Sequence, residues 1–190
     1  MRRTRSAISA PTAGSSAAAD MAGSRRIALV VMGVSGSGKT VIGSALAQSL
    51  GVEFVEGDDF HPEENVRRMA SGIALTDEDR APWLRSIAAR LRAAKDAGTG
   101  LVVSCSALKR SYRDLLRAEA GEVHFIFLKG TRALIGERIS TRAGHFMPSS
   151  LLDSQFTALE EPGPDERVWE CDIRESPADI VSELVGRAST

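Results

Sequence analysis

From Val55 to Glu64 the chain reads VEGDDFHPEE, which crowds the carboxylates of Glu56, Asp58 and Asp59 together with His61 close behind. Acids this near one another repel unless a metal or a cation offsets them. Upstream, Gly33 to Thr40 reads GVSGSGKT and fits the pattern G-x-x-x-x-G-K-[ST]. Glycines in such a loop let backbone N–H groups converge on phosphate oxygens, and the helix that follows adds its positive N-terminal end. Lys39 is suited to the β- and γ-phosphates, and the Thr40 hydroxyl to Mg²⁺. Gly33, Ser35, Gly36, Ser37, Gly38, Lys39 and Thr40 are therefore expected to hold a Mg-nucleoside triphosphate.

The two stretches belong together if the acids sit at the end of a strand. Glu56 and Asp58 are two apart, so on a strand both side chains point the same way. At the carboxyl end of a parallel sheet they face the phosphate loop, where ligands bind. One acid then joins the Mg²⁺ shell while the other accepts a hydroxyl proton, and the metal, Lys39 and the substrate offset their charge. Asp59, one step on, faces away. Other nucleotide chemistries fit less well. The lone asparagine, Asn65, is followed by Val66, so the guanine-reading Asn-Lys-x-Asp element is missing. Large motor ATPases place an acid at the end of a long apolar strand, whereas LVVSCS carries none.

The elements that must position these groups follow from the hydrophobic pattern. IALVVMGV, VEFVEG, LVVSCS, VHFIFL and VWECDI read as continuous apolar strands, and helical patterns separate them. Continuous rather than alternating apolar strands indicate a parallel sheet covered on both faces. The expected fold is an α/β P-loop NTPase, a three-layer sandwich with five parallel strands and a mobile lid. Helices are expected to about Leu50, from Pro62 to near Gly72, over about 81–97, to about Ala120, over about 131–142 and 149–159, and from Pro177 to Arg187. Thr76 opens a turn, TDEDRAPWL, rich in capping residues.

A chain of 190 residues with 43% hydrophobic content suits one domain, placed at 27–190. The net charge of −1 provides no basic field for nucleic acid, so anions must be recognised by locally placed groups. No apolar run approaches a membrane span, and two well-separated cysteines in apolar runs read as buried thiols, so a soluble, cytoplasmic protein is expected. Residues 1–26 hold five arginines and one acid among many Ala and Ser. They read as a disordered extension, or as sequence ahead of a true start at Met21, with a transit peptide as the other reading.

From Ile27 to about Val185 the chain resembles the gluconokinases, relatives of shikimate and adenylate kinases. The resemblance rests on GVSGSGKT, EGDDFHP, MASGIALTDEDRAPWL, CSALKRSYRDLLR, FIFLKG and GHFMPSSLLDSQFTALEEP. It implies ATP-dependent phosphorylation of D-gluconate at its 6-hydroxyl with Mg²⁺, and leaves a homodimer open. Glu56, Gly57 and Asp58 match the family's acid-Gly-acid element, although the first acid is often Asp. By that match Glu56 and Thr40 serve the metal and Asp58 is the general base. His61 would hydrogen-bond a polyol hydroxyl. In ERISTRAGH, Arg138 would stack on adenine, Arg142 would clamp the transferring phosphate, and His145 and Phe146 would belong to the lid. Candidates for the substrate carboxylate are Arg67, Arg80, Lys109 and Arg113, and the CSALK-x-x-YRD pattern favours Lys109 with Arg113. His124, Trp83 and Trp169 read as structural. The nearest alternatives are a shikimate kinase, although Ser104 to Ala107 replaces that family's triple-glycine turn, a nucleoside monophosphate kinase, and an ATP-binding module without turnover.

Overall fold

The computed structural model describes residues 27–141 and 149–189. Arg142, His145 and Phe146, the end of the expected 131–142 helix, and the extension 1–26 lie outside the described residues. The strands are β1 (Ala28–Met32), β2 (Glu53–Glu56), β3 (Leu101–Ser104), β4 (His124–Lys129) and β5 (Val168–Asp172). The helices are α1 (Lys39–Leu50), α2 (Glu63–Ala70), α3 (Asp77–Asp96), α4 (Arg110–Ala120), α5 (Arg132–Thr141), α6 (Ser149–Ala158) and α7 (Pro177–Ala188).

All five strands are parallel, in the order β2-β3-β1-β4-β5. Every residue of β1 is buried, as a central strand covered on both faces requires. Val30, Met32, Val103, Phe125 and Phe127 face one layer, where they pack with Trp83, Ile87 and Leu91 of α3 and Leu116 of α4. Leu29, Val31, Val102, Ile126 and Leu128 face the other, with Ile42 and Leu46 of α1, Ile135 of α5, Leu152 of α6 and Leu184 of α7. The register sets Val31 beside Ser104, and Ser104 beside Glu56. The carboxyl ends of β1, β3 and β2 thus form one edge, with the loop after β1 at its centre.

Two boundaries differ from expectation, each for a local reason. The helix expected from about Ala81 begins at Asp77, because Thr76 and Asp79 form a reciprocal capping box. Asp79 N–H donates to Thr76 Oγ1 at 3.2 Å, and Thr76 N–H to Asp79 Oδ2 at 2.8 Å. Pro82 falls inside this helix, where it withholds a donor from the exposed Glu78. The second strand stops at Glu56, and Gly57–Phe60 closes into a 3₁₀ turn. Cys105 and Cys171 are buried free thiols as expected, and burial pushes them up to about 12 and about 11. Trp83 is core, while Trp169 is half-buried and stacks on His124 with ring centres 5.4 Å apart.

Candidate active site

The phosphate loop is held from the sheet side. Gly33 N–H donates to Ser106 O at 3.3 Å, and Ser37 N–H closes the turn onto Val34 O at 3.2 Å. Gly38 precedes α1 at φ 99°, a left-handed conformation that a side chain would strain. Lys39 is half-buried and its Nζ donates to Val34 O at 3.1 Å, folding over the loop. Burial lowers its pKa, against Asp58, Cys105 and Glu56, which raise it. Ser37 Oγ is buried without a partner among the described residues, a polar group left for a ligand.

Opposite the loop, Glu56 accepts the Thr40 hydroxyl at Oε2, 2.7 Å away, and the Ser104 hydroxyl at Oε1. Gly57 follows because nothing larger fits: a Cβ there would lie 2.0 Å from Ser104 O. Its N–H donates to Ser104 Oγ at 3.2 Å, and its carbonyl accepts Trp83 Nε1–H at 2.7 Å. Asp58 comes next, exposed in the 3₁₀ turn, with its charge acting on Lys39 and Cys105. The expected facing of Glu56 and Asp58 on one strand is thereby corrected, since the strand has ended and the turn carries Asp58. The side chain of Asp59, exposed in the same turn, makes no ion pair or hydrogen bond among the described residues.

His61 stacks on Trp83, centroids 4.2 Å apart and 12° from parallel. Its Nδ1 is buried without a partner among the described residues, and burial, with Arg80 nearby, lowers its pKa to about 4. A neutral ring with an unused nitrogen can pair with a hydroxyl.

The candidate cations separate clearly. Arg67 is exposed and pairs with Glu63 and Glu64 of its own helix, at 3.5 and 2.5 Å. Lys109 pairs with Asp77 at 2.7 Å and lies 5.7 Å from the Tyr112 ring centre. Arg113 must be corrected. Its side chain is 0% exposed, with Nε and Nη2 on Glu166 at 2.6 and 2.7 Å and Nη1 on the carbonyls of Ala107 and Leu108. A guanidinium so committed cannot receive a substrate carboxylate. The half-buried side chain of Arg80 makes no hydrogen bond or ion pair among the described residues, yet its charge acts on His61, Asp77, Tyr112 and Cys105. Its guanidinium fork is thus uncommitted among the described residues, near His61. Arg138 is exposed and donates to Ile173 O, just past β5, at 2.5 Å.

Three contributors escaped the sequence reading. Ser104 was findable as a polar residue ending an apolar strand. Trp83 reads only as core, although it also braces Gly57 and His61. Gln155 of α6 reaches the phosphate loop at Ser35, and nothing in its local sequence signals this.

Thr40 and Glu56 offer hard oxygens side by side. Among the described residues no cluster of three metal-ligating side chains exists. The paired oxygens of Thr40 and Glu56 could serve Mg²⁺, which takes one or two protein oxygens and otherwise waters and substrate phosphates.

A phosphate loop that carries a lysine at the carboxyl edge of a parallel sheet, with two carboxylates close by, has the form of a P-loop phosphotransferase site. The AAA domain family model matches residues 29–162. A gluconokinase of Gluconobacter oxydans (strain 621H) is 47% identical over 157 residues, 83% of this chain and 88% of that protein. The thermosensitive gluconokinase of Escherichia coli (strain K12) is 47% identical over 156 residues, 81% and 83% of the two chains. The crystal structure of a gluconokinase from Sinorhizobium meliloti 1021 superposes with a TM-score of 0.79 at 48% identity, covering 87% of this chain and 93% of that one. The chain belongs to the gluconokinase family. No helix among the described residues is long and apolar enough to cross a membrane.

Proposed function

We propose that the protein transfers the γ-phosphoryl group of ATP to the 6-hydroxyl of D-gluconate. The choice of acceptor rests on gluconokinase relatives such as those of G. oxydans and E. coli, each 47% identical over more than four-fifths of this chain. The observation that carries the chemistry is Glu56 on the Thr40 hydroxyl at 2.7 Å, with Asp58 charged toward Lys39.

Lys39 and the loop amides cradle the β- and γ-phosphates, and Thr40 with Glu56 would hold Mg²⁺. The metal, when bound, neutralises charge on the phosphate oxygens. Asp58 orients the acceptor hydroxyl and takes its proton. His61 Nδ1 pairs with a hydroxyl of the polyol chain, and Arg80 receives the carboxylate in a bidentate fork. Arg138 and Arg142 serve the nucleotide, Arg142 at the transferring phosphate, with His145 on the same segment.

ADP release, measured with gluconate, shikimate and nucleoside monophosphates as acceptors, tests the reading. Turnover with gluconate alone is expected. Turnover with shikimate or a nucleotide instead, or none with any acceptor, would overturn it.

A further inference from the structure

Gln155 reaches out of α6 and takes hold of the tip of the phosphate loop. Its Oε1 accepts Ser35 N–H at 2.7 Å, and its Nε2 donates to Ser35 Oγ at 3.2 Å. One amide thus engages both the backbone and the side chain of a residue 120 positions away. The helix that carries it is anchored at several points. Leu152 is buried in the core face shared with Val34 and Ile135, and Phe156 packs against that face. Asp153 accepts Arg132 Nε–H at 2.6 Å. Just past the helix, Glu160 N–H donates to Leu108 O at 2.9 Å, and its carboxylate accepts Arg110 N–H at 2.7 Å. The stretch 155–160 is therefore bonded to the phosphate loop at one end and to the segment around Lys109 at the other.

The loop has reason to need such a hold. Gly33, Gly36 and Gly38 all adopt positive φ, and a glycine-rich turn loses much backbone freedom when a ligand fixes it. A bond made before the ligand arrives removes part of that cost. The residue making it is also suited to its place, because an amide oxygen accepts the N–H without bringing negative charge near phosphates.

We infer that Gln155 is a positioning residue for ATP, pre-ordering the phosphate loop through its paired bonds to Ser35. The inference rests on the kinase reading for its ligand, but it is tested without the acceptor. ATP affinity is measured by titration calorimetry for wild type, Gln155→Leu, Ser35→Ala and the double variant, with melting temperatures alongside. Loss of a hydrogen bond changes an equilibrium by roughly threefold to tenfold. Gln155→Leu is expected to weaken ATP about tenfold, with the KM for gluconate at saturating ATP within twofold of wild type. Ser35→Ala, which keeps the N–H bond, is the milder variant. It is expected to lose about threefold alone and almost nothing further in the Gln155→Leu background. Wild-type-like ATP affinity in Gln155→Leu, even with a lowered melting temperature, would reduce the contact to scaffolding and overturn the inference. So would losses that simply multiply in the double variant. Wild-type protein that binds ATP but leaves gluconate untouched would sink the functional reading alone.

Discussion

Replacing Glu166 with Gln removes one charge from a buried pair while nearly preserving its shape. The Glu166 carboxylate accepts from Arg113 at 2.6 and 2.7 Å, from Gly163 N–H at 3.1 Å and from Arg117 at 3.3 Å. The paired side chains are 0% and 2% exposed. Arg113's hydrogen bonds hold the carboxyl down to about 2, against an ordinary 4.5. A difference of that size is worth about 3 kcal/mol of preference for the ionised form in the folded state. Because the folded value lies below the unfolded one, the contribution is complete above about 4.5 and drains away as pH falls toward about 2. Glu166→Gln is therefore expected to cost about 3 kcal/mol at pH 7, at the low end of what breaking a buried pair costs. Its deficit relative to wild type should shrink as the medium is acidified through that window. Urea unfolding of both proteins at a series of pH values measures this. A variant within about 1 kcal/mol of wild type at neutral pH would refute the reasoning, as would a deficit that stays constant down to about pH 3.

Lys39→Ala should lower turnover ~10²-fold or more with little change in melting temperature, and retention of a tenth of wild-type turnover would count against its role. Arg80→Ala should raise the KM for gluconate ~10- to 100-fold with the KM for ATP unchanged, while Lys109→Ala, already engaged by Asp77, should do much less. Asp58→Asn should cut turnover ~10²-fold at unchanged Mg²⁺ dependence, whereas Glu56→Gln should raise the Mg²⁺ needed for half-maximal rate; a dead Asp59→Asn beside an active Asp58→Asn would reassign the base. His61 is held at about 4, below its ordinary 6.5, so the unfolded chain takes up that proton first and stability should drain from pH 6.5 toward 4. His61→Gln, followed by thermal melts across that range, should lack this part of the slope.

The phosphate loop, the five parallel strands and the free thiols were legible because each is written in contiguous residues. Apolar runs such as ALVVM have only one way to be satisfied, and GVSGSGKT carries its conformation in its own glycines. The phase of the acids was less secure. Alternation along a strand predicts that Glu56 and Asp58 share a face, but the strand lasts only as long as its partner. Glu56 pairs in register with Ser104, the last residue of β3, and beyond it the backbone turns. Gly57 sits where that happens because Ser104 O leaves no room for a Cβ. The charge of Asp58 acts on Lys39 from a turn rather than from the pleat.

The cations show what local sequence cannot supply, namely who else competes for each charge. Arg80 lies in the first turns of α3 beside Asp77 and Asp79, which look from the sequence like its own partners. Both are claimed from elsewhere. Asp77 takes Lys109 and the Tyr112 hydroxyl, and Asp79 takes Arg68 and the Thr76 N–H. Arg113 has the opposite history. It shares the buried side of α4 with Leu116 and Ala120, at helical spacing, and a guanidinium on such a stripe must find a carboxylate inside the protein. Glu166 is that carboxylate, 53 residues on. The spacing of Arg113 therefore already argued for a structural ion pair, and the family pattern outweighed it. Two acids bound by others leave the Arg80 guanidinium half-buried near His61 and, among the described residues, unclaimed, which is the condition a substrate carboxylate requires.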